Sequence, residues 1–437
     1  MVTRARSAYR PVDVVEVRAW DKRVGAVALD PGLGAYSFEY DPVFVASGIE
    51  LAPLTMPLAD ANRPFVFPNL AEATFHRLPA MLADALPDSF GNALINAWMA
   101  NKGLNLNAVT TLDRLAYMGK RSMGALEFRP SRGPNTSKTT AIELGKLVEQ
   151  ARSVLHGELD TDDHTQAALQ QIIQVGTSAG GARAKATVAW NPDTNEVRAG
   201  QLQIPEGFSA WLLKFDGIGQ DRGLGASKDY GRIEYAYSLM AKAAGVRMAP
   251  CRLLQENGRA HFMTQRFDRD GNNRIHMQTL CAMQQLDYKQ RATHSYSQMF
   301  EAAQRLELGR GAMIEVLRRM VFNIVAQNCD DHTKNHSFLM REAGQWELSP
   351  AYDVTFAFDP ASQWVHQHLM SVNGKFAGIT REDVRAVADR HELLSEVGPA
   401  IDAAEAAASR WPEFASDAGV APEEAQRVQR ELSAVGL

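Results

Sequence analysis

Nine consecutive residues, 328–336, concentrate groups that can bind a metal ion or move a proton. They read Asn-Cys-Asp-Asp-His-Thr-Lys-Asn-His and follow an apolar segment whose periodicity predicts a helix. Within them, Asp330 and Asn335 are separated by four residues, which is the D-x-x-x-x-N spacing of a protein-kinase catalytic loop. A polar loop that caps the helix is the alternative interpretation. It leaves two carboxylates, two imidazoles, an amide and an ammonium group without a role.

Further residues extend this pattern along the chain in the order that a kinase requires. Lys214 ends the strand-like segment AWLLK, and Glu234 follows 20 residues later on a predicted helix. Asp353 lies 18 residues after Asn335, just beyond another predicted strand. Phosphoryl transfer needs a lysine at the nucleotide phosphates, an aspartate at the acceptor hydroxyl, and oxygen ligands for Mg²⁺. The order and separations together indicate this chemistry, with ATP and Mg²⁺ as cofactors.

Other interpretations of the same residues stay open. Glu234 either pairs with Lys214 or only places negative charge near the N-terminus of its helix. A metal-dependent hydrolase would instead use four ligands from the loop, namely Asp330, Asp331, His332 and His336. That reading leaves Lys214 unexplained. The sequence has no GxxxxGK[ST] motif, which disfavours a P-loop NTPase.

The surrounding sequence predicts the elements that must position these groups. Residues 13–50 contain β-branched and alternating segments typical of strands, and helical spacing begins near residue 74. The polar segment 131–140 is predicted to be a linker, followed by a helix. Residues 185–270 predict a small sheet with one helix, and helices dominate from residue 295 to the end.

Composition limits the class of protein. The 437 residues have a net charge of −5, which argues against a surface that binds nucleic acid directly. The three cysteines, Cys251, Cys281 and Cys329, form no CxxC pair, and we expect free thiols in a reducing compartment. We find no apolar signal-peptide core and no apolar stretch long enough to span a bilayer. A cytoplasmic protein without a membrane segment is the expectation.

Two segments resemble specific motifs of a known family. CDDHTKNHSFL (329–339) and SPAYDV (349–354) resemble the catalytic loop and metal-binding segment of HipA proteins. This family comprises bacterial serine/threonine kinases that are the toxins of HipA–HipB toxin–antitoxin pairs. SAGGARAKATV (178–188) resembles the family's phosphate loop, and QRFDR (265–269) its nucleotide hinge. The resemblance covers nearly the whole chain, including ADALPDSFGN and MGKRSMGAL in the N-terminal part.

The resemblance implies a role for each matching position. Asp330 would be the catalytic base, and Asn335 and Asp353 would bind Mg²⁺. Lys214, His332 and Lys334 would line the ATP phosphate pocket, while Gln265 and Phe267 would contact adenine. Within the phosphate loop, with Gly180 and Gly181, the resemblance implies that Ser178 is autophosphorylated. That modification would add roughly −1.5 to −2 charges where ATP phosphates lie, and should inactivate the kinase.

The resemblance also implies an architecture and partners. The expected fold is α+β and protein-kinase-like, with an N-terminal α/β subdomain (1–135), a nucleotide-binding lobe (136–280) and a helical C-terminal lobe (281–437). A HipB-like helix-turn-helix antitoxin would be the partner, DNA contact would be indirect, and an aminoacyl-tRNA synthetase would be the substrate. The chain departs from the family at Met277-Gln278-Thr279 and at Gln265, where polar or acidic residues are common. These departures keep open a degenerate kinase that only binds the antitoxin.

Overall fold

The structure is a computed structural model. It describes residues 10–101, 103–133, 184–200, 203–216, 229–256, 258–342 and 344–437. The predicted linker from residue 134 onward, the predicted helix after it, and the phosphate loop around Ser178 lie outside these ranges.

An antiparallel sheet forms the N-terminal part of the molecule. Its strands are β1 Val14–Ala19, β2 Lys22–Asp30, β3 Ala35–Tyr40, β4 Phe65–Val66 and β5 Glu127–Arg129, in the order β4-β3-β2-β1-β5. Trp20 and Asp21 both have positive φ angles between β1 and β2, which suits the tight turn of a two-residue hairpin. The three predicted strands in this region are confirmed.

Helices follow these strands. They are α1 Pro42–Val45, α2 Glu72–Phe75, α3 Ala80–Ala83, α4 Ser89–Asn101 and α5 Thr111–Met118. Asp88 caps α4, because its carboxylate accepts the N–H of Gly91 at 2.8 Å and its carbonyl accepts the N–H of Asn92. The start of α4 thus coincides with the Pro87-Asp88-Ser89 segment.

A second antiparallel sheet carries the predicted nucleotide lysine. Its strands are β6 Lys185–Trp190, β7 Val197–Ala199, β8 Ser209–Lys214, β9 Cys251–Glu256 and β10 Arg259–Gln265, in the order β7-β6-β8-β10-β9. The helix α6, Tyr230–Ala243, packs against β9 and β10. Lys185 and Lys214 are directly opposite each other on β6 and β8.

Short strands and a set of helices complete the described chain. The strands are β11 Arg269–Asp270, β12 Asn273–Arg274, β13 His276–Thr279, β14 His294–Ser295, β15 Ser337–Met340, β16 Trp346–Leu348 and β17 Met370–Ser371. The helices are α7 Leu280–Met283, α8 Tyr296–Arg305, α9 Gly309–Val325, α10 Arg381–Asp389, α11 Leu394–Ser409, α12 Trp411–Ala418 and α13 Pro422–Ser433. The sheet β13-β15-β16 supports the loop that follows α9.

Two hydrophobic clusters hold these elements together. The first joins the apolar faces of the two five-stranded sheets with α3, α4 and α5. The second joins α6 with the C-terminal helices around Tyr237, Phe300, Phe322 and Trp411. Separate antiparallel sheets with segregated helices make the fold α+β. The domain boundaries at residues 135 and 280 stay a prediction.

All three thiols are free, with Cys281 and Cys329 buried and Cys251 half-buried. None of the helices in the described part of the chain has the length and apolar character needed to cross a bilayer.

Candidate active site

The loop from Asn328 to His336 connects α9 with β15 and is held rigidly at its start. Asn328 donates a side-chain hydrogen bond to Asn323 on α9 at 2.9 Å, and the Cys329 N–H donates to the carbonyl of Ala357. Asp330 then stands at the surface of the loop with 35% of its side chain exposed. The predicted base is therefore accessible to a substrate hydroxyl.

The amide of Asn335 has a defined orientation beside Asp330. Its Nδ2 donates to the carbonyl oxygen of Asp330 at 2.7 Å, so its Oδ1 is left to act as a ligand or acceptor. Asn335 and Asp353 line the same small cavity. The Tyr352 hydroxyl donates to the carbonyl of Lys334 at 2.7 Å and ties the segment of Asp353 to the loop. A carboxylate and an amide oxygen suit Mg²⁺, which takes its other ligands from water and phosphate.

Asp353 occupies a conformation that is rare for residues other than glycine. Its φ is +52°, in the left-handed region, and such strain is concentrated at functional sites. About a fifth of its side chain, 21%, is exposed. Burial raises the pKa of Asp353, but Lys214 and Lys185 lower it more strongly, so that the pKa lies well below its usual range. The carboxylate is ionised at neutral pH.

Lys214 lies between two carboxylates. Its Nζ donates to Glu234 on α6 and to Oδ1 of Asp353, and the Lys214 and Glu234 side chains are 7% and 3% exposed. Burial lowers the pKa of Lys214, but Asp353 and then Glu234 outweigh it, so that the pKa is raised. Of the two alternatives for Glu234, the structure shows the pairing with Lys214. A charged lysine is thus held next to the predicted metal ligand.

A second buried lysine faces the same region and was missed by the sequence analysis. Lys185, opposite Lys214 in the sheet, has a side chain that is 3% exposed, with its Nζ 3.9 Å from Oδ2 of Asp88. Lys185 belongs to the segment 178–188, whose resemblance to a phosphate loop could have indicated a role at the phosphates. Only the strand register, however, puts Lys185 next to Lys214.

A cleft lies between the second sheet and the loop. Gln265 and Phe267 line it, as predicted for the nucleotide hinge, and the Phe267 ring lies 5.6 Å from that of Tyr352. Its other lining residues include Asp84, Met123, Lys185, Leu212, Thr264, Met277, Thr279, Lys334 and Asp353. Met277 therefore presents an apolar side chain to the cleft.

The other titratable side chains of the loop, those of Lys334, His332 and His336, have different surroundings. Lys334 lines the cleft; burial lowers its pKa, but Asp84 together with Cys281, Tyr288 and Asp88 outweighs this, so that the pKa is raised. His332 packs against the ring of Tyr288, and its Nε2 is 3.9 Å from Asp330. His336 is buried, and burial lowers its pKa to about 3, so it is neutral. Among the described residues, no three His, Cys, Asp or Glu side chains are grouped to hold a metal ion.

Asp331, the residue after the predicted base, organises a buried network. Its carboxylate accepts hydrogen bonds from the Tyr296 hydroxyl at 2.8 Å, from His368 Nδ1 at 3.1 Å, and from the N–H groups of Leu369 and Met370. Burial lowers the pKa of His368, but Asp331 raises it to about 10. The network joins the loop to the segment that contains β17. Nothing in the linear sequence pairs Asp331 with His368.

The phosphate-loop residues of the sequence analysis, Ser178, Gly180 and Gly181, lie outside the described residues. The autophosphorylation prediction therefore stays a prediction.

Comparisons with known proteins agree with this arrangement. Residues 177–435 match the family model described as HipA-like C-terminal domain, and residues 15–129 match the HipA N-terminal domain. A curated protein of Sinorhizobium fredii, named "Putative kinase Y4mE", is 25% identical over 193 residues, which is 41% of this chain. The match spans only 39% of that relative's length.

One solved structure shows the same fold. A chain from the complex described as "Shewanella oneidensis MR-1 Toxin Antitoxin System HipA, HipB and its operator DNA complex" superimposes with a TM-score of 0.66. The two chains are 17% identical, and 96% of each is covered. The Helicobacter pylori proinflammatory kinase CtkA gives a TM-score of 0.38 at 12% identity, covering 58% of this chain and 89% of that one. The superposition on the Shewanella chain therefore shows the HipA fold, which is α+β.

Proposed function

The chain belongs to the HipA family, and from this premise we propose that it is an ATP- and Mg²⁺-dependent serine/threonine protein kinase. In this proposal it acts as the toxin of a HipA–HipB-type pair. The observation that carries the proposal is the position of Lys214, whose ammonium group bridges Glu234 and Asp353 beside the Asp330–Asn335 loop. This is the set of groups that protein kinases use for phosphoryl transfer.

Each residue has a task that its surroundings favour. Asp330 accepts or orients the proton of the acceptor hydroxyl, because it is the exposed carboxylate of the loop. Asn335 and Asp353 would hold Mg²⁺, which when bound neutralises charge on the phosphates. Lys214 and Lys185 present two ammonium groups to the phosphate oxygens from neighbouring strands. Gln265 and Phe267 would flank the adenine in the cleft.

We further propose that Ser178 is autophosphorylated and that this inactivates the enzyme. The added charge of roughly −1.5 to −2 would occupy the place of the ATP phosphates and compete with them. This part of the proposal rests on the family resemblance of residues 178–188.

The partner and substrate follow from the same resemblance. The Shewanella structure contains HipB and operator DNA with HipA, which supports a HipB-like helix-turn-helix antitoxin as the partner of this chain. DNA would be contacted through that partner, in keeping with the net charge of −5. An aminoacyl-tRNA synthetase is the proposed substrate, and the proposed compartment is the cytoplasm.

Incubation with radiolabelled ATP and Mg²⁺ tests the activity. We expect label on the wild-type chain and none on Asp330→Ala or Ser178→Ala, whereas Asp417→Ala, an exposed aspartate on α12, should behave as wild type. Persistent label on Asp330→Ala would remove the assignment of the base. Nucleotide binding without any transfer by the wild type would instead favour the degenerate kinase that only binds its antitoxin.

A further inference from the structure

The two lysines that face each other in the second sheet need partners of opposite charge. Lys185 and Lys214 are directly opposite on antiparallel strands, and their side chains are 3% and 7% exposed. Like charges at such positions destabilise a sheet, and burial of an ammonium group is costly without a partner. Lys214 is compensated by Glu234 and Asp353. The ion-pair partner of Lys185 in the described part of the chain is Asp88, which comes from the N-terminal region.

Asp88 is built for this contact. It lies in the turn between α3 and α4, and its side chain is 4% exposed. Oδ1 accepts the N–H of Gly91 at 2.8 Å, while Oδ2, on the side of Lys185, accepts no hydrogen bond from any described residue. A Cβ atom at Gly91 would lie 2.5 Å from Cβ of Pro87, so the tight turn requires glycine there. The turn thus directs a buried, half-satisfied carboxylate at the lysine.

The same turn is attached to the opposite wall of the cleft. Asp84 accepts the N–H of Thr279 at 2.7 Å and the Thr279 hydroxyl at 2.9 Å. Both residues line the cleft, and Asp84 also attracts Lys334. The segment 84–91 therefore contacts two residues that line the cleft, Thr279 and Lys185, and the contact at Thr279 is independent of Asp88.

We propose that the segment 84–91 of the N-terminal region completes the nucleotide site, with Asp88 as the positioning residue of Lys185. An ammonium group has three N–H donors. Asp88 attracts the ammonium group of Lys185 from 3.9 Å and so directs its N–H groups toward the phosphates of a nucleoside triphosphate. Asp88 itself touches neither the nucleotide nor the metal. The inference rests on the proposed ATP site, but it is about binding and does not require phosphate transfer.

Binding of Mg²⁺ with a non-hydrolysable ATP analogue to the full-length chain tests this inference. Asp88→Asn removes the charge and keeps an acceptor for the N–H of Gly91, since asparagine caps helices as well as aspartate. We expect affinity for the analogue to fall about tenfold, because Lys185 loses its buried ion-pair partner. Lys185→Met should fall at least as far. The double variant should resemble Lys185→Met, because the two residues act as one unit.

A matched control and a second measurement keep the outcomes distinct. Asp113→Asn changes another buried carboxylate that caps a helix of the N-terminal region, and should bind as wild type. Reductive methylation followed by mass spectrometry should find Lys185 protected by the analogue in the wild type and less protected in Asp88→Asn. Affinity within twofold of wild type in folded Asp88→Asn, or additive losses in the double variant, would overturn the proposal.

Two other outcomes have separate meanings. If Asp88→Asn fails to fold, unchanged affinity in Lys185→Met, which leaves the helix cap intact, overturns the proposal. If the wild type binds the analogue but transfers no phosphate, the kinase function fails while Asp88 keeps its role. If the wild type binds no analogue, both fail.

Discussion

The buried pair of His368 and Asp331 stabilises the loop of residues 328–336, and this stabilisation should decrease as the pH rises above about 6.5. The groups that face His368 are Asp331, which also accepts the Tyr296 hydroxyl, and the thiol of Cys329. In the folded protein the pKa of His368 is raised to about 10, from an ordinary value of 6.5. A histidine whose pKa is higher in the folded than in the unfolded protein stabilises the folded state. This stabilisation has its full value below the pKa of the unfolded protein, and it is lost as the pH rises through the pKa of the folded protein.

The size of the effect follows from the two pKa values. Between pH 6.5 and 10 the contribution of His368 falls by about 1.4 kcal/mol per pH unit, or by about 5 kcal/mol over the whole window. This is comparable with the total stability of many domains. The perturbation that isolates it is His368→Gln, because glutamine can still donate to Asp331 but carries no titrating charge.

Amide hydrogen exchange can measure this loss of stability at the Asp331 network itself. The N–H groups of Leu369 and Met370 donate to Asp331, so exchange in a peptide covering residues 366–371 measures the opening of the network. After correction for intrinsic rates, wild-type protection should fall about tenfold per pH unit relative to His368→Gln between pH 7 and 9. The hairpin of β1 and β2 serves as the internal control. Equal slopes in the two proteins would refute the reasoning.

Two substitutions test other parts of the site. Lys214→Met should lower phosphate transfer about a hundredfold or more, because it removes the charge next to the phosphates; Lys242→Met, an exposed lysine on α6, should leave transfer unchanged in the same radiolabel assay. Gly124→Ala and Gly258→Ala both place alanine at positive φ, but only at residue 124 would the new Cβ meet a backbone atom, the nitrogen of Met277 at 2.9 Å. Thermal unfolding should therefore show that Gly124→Ala lowers the free energy of unfolding by about 1–3 kcal/mol more than Gly258→Ala does. Equal decreases in the two variants would contradict this.

Local structure was largely predictable from the chain, since it depends on near neighbours. The alternation in AYSFEY predicts β3, and the Pro87-Asp88-Ser89 break predicts the start of α4. The alternation depends on which face of a strand is apolar, and the break depends on a missing N–H and a capping carboxylate. Both are properties of a few consecutive residues.

The candidate site could be predicted from the sequence only where its residues lie in one short segment. The spacing of Asp330 and Asn335 places the amide nitrogen on the carbonyl of Asp330, a contact within a single loop. The pairing of Lys214 with Glu234 could be suggested from kinase order, but helix charge was an equal explanation until α6 was seen against the second sheet.

By itself, the sequence determined the composition of the loop, the order of the kinase-like groups and the local strands and helices. Only the tertiary structure decided that Lys185 faces Lys214, that Asp88 reaches it from the N-terminal region, and that His368 closes on Asp331. The reason is physical. A buried charge must find a partner of opposite sign, and that partner can lie anywhere along the chain that the packing brings within a few ångströms.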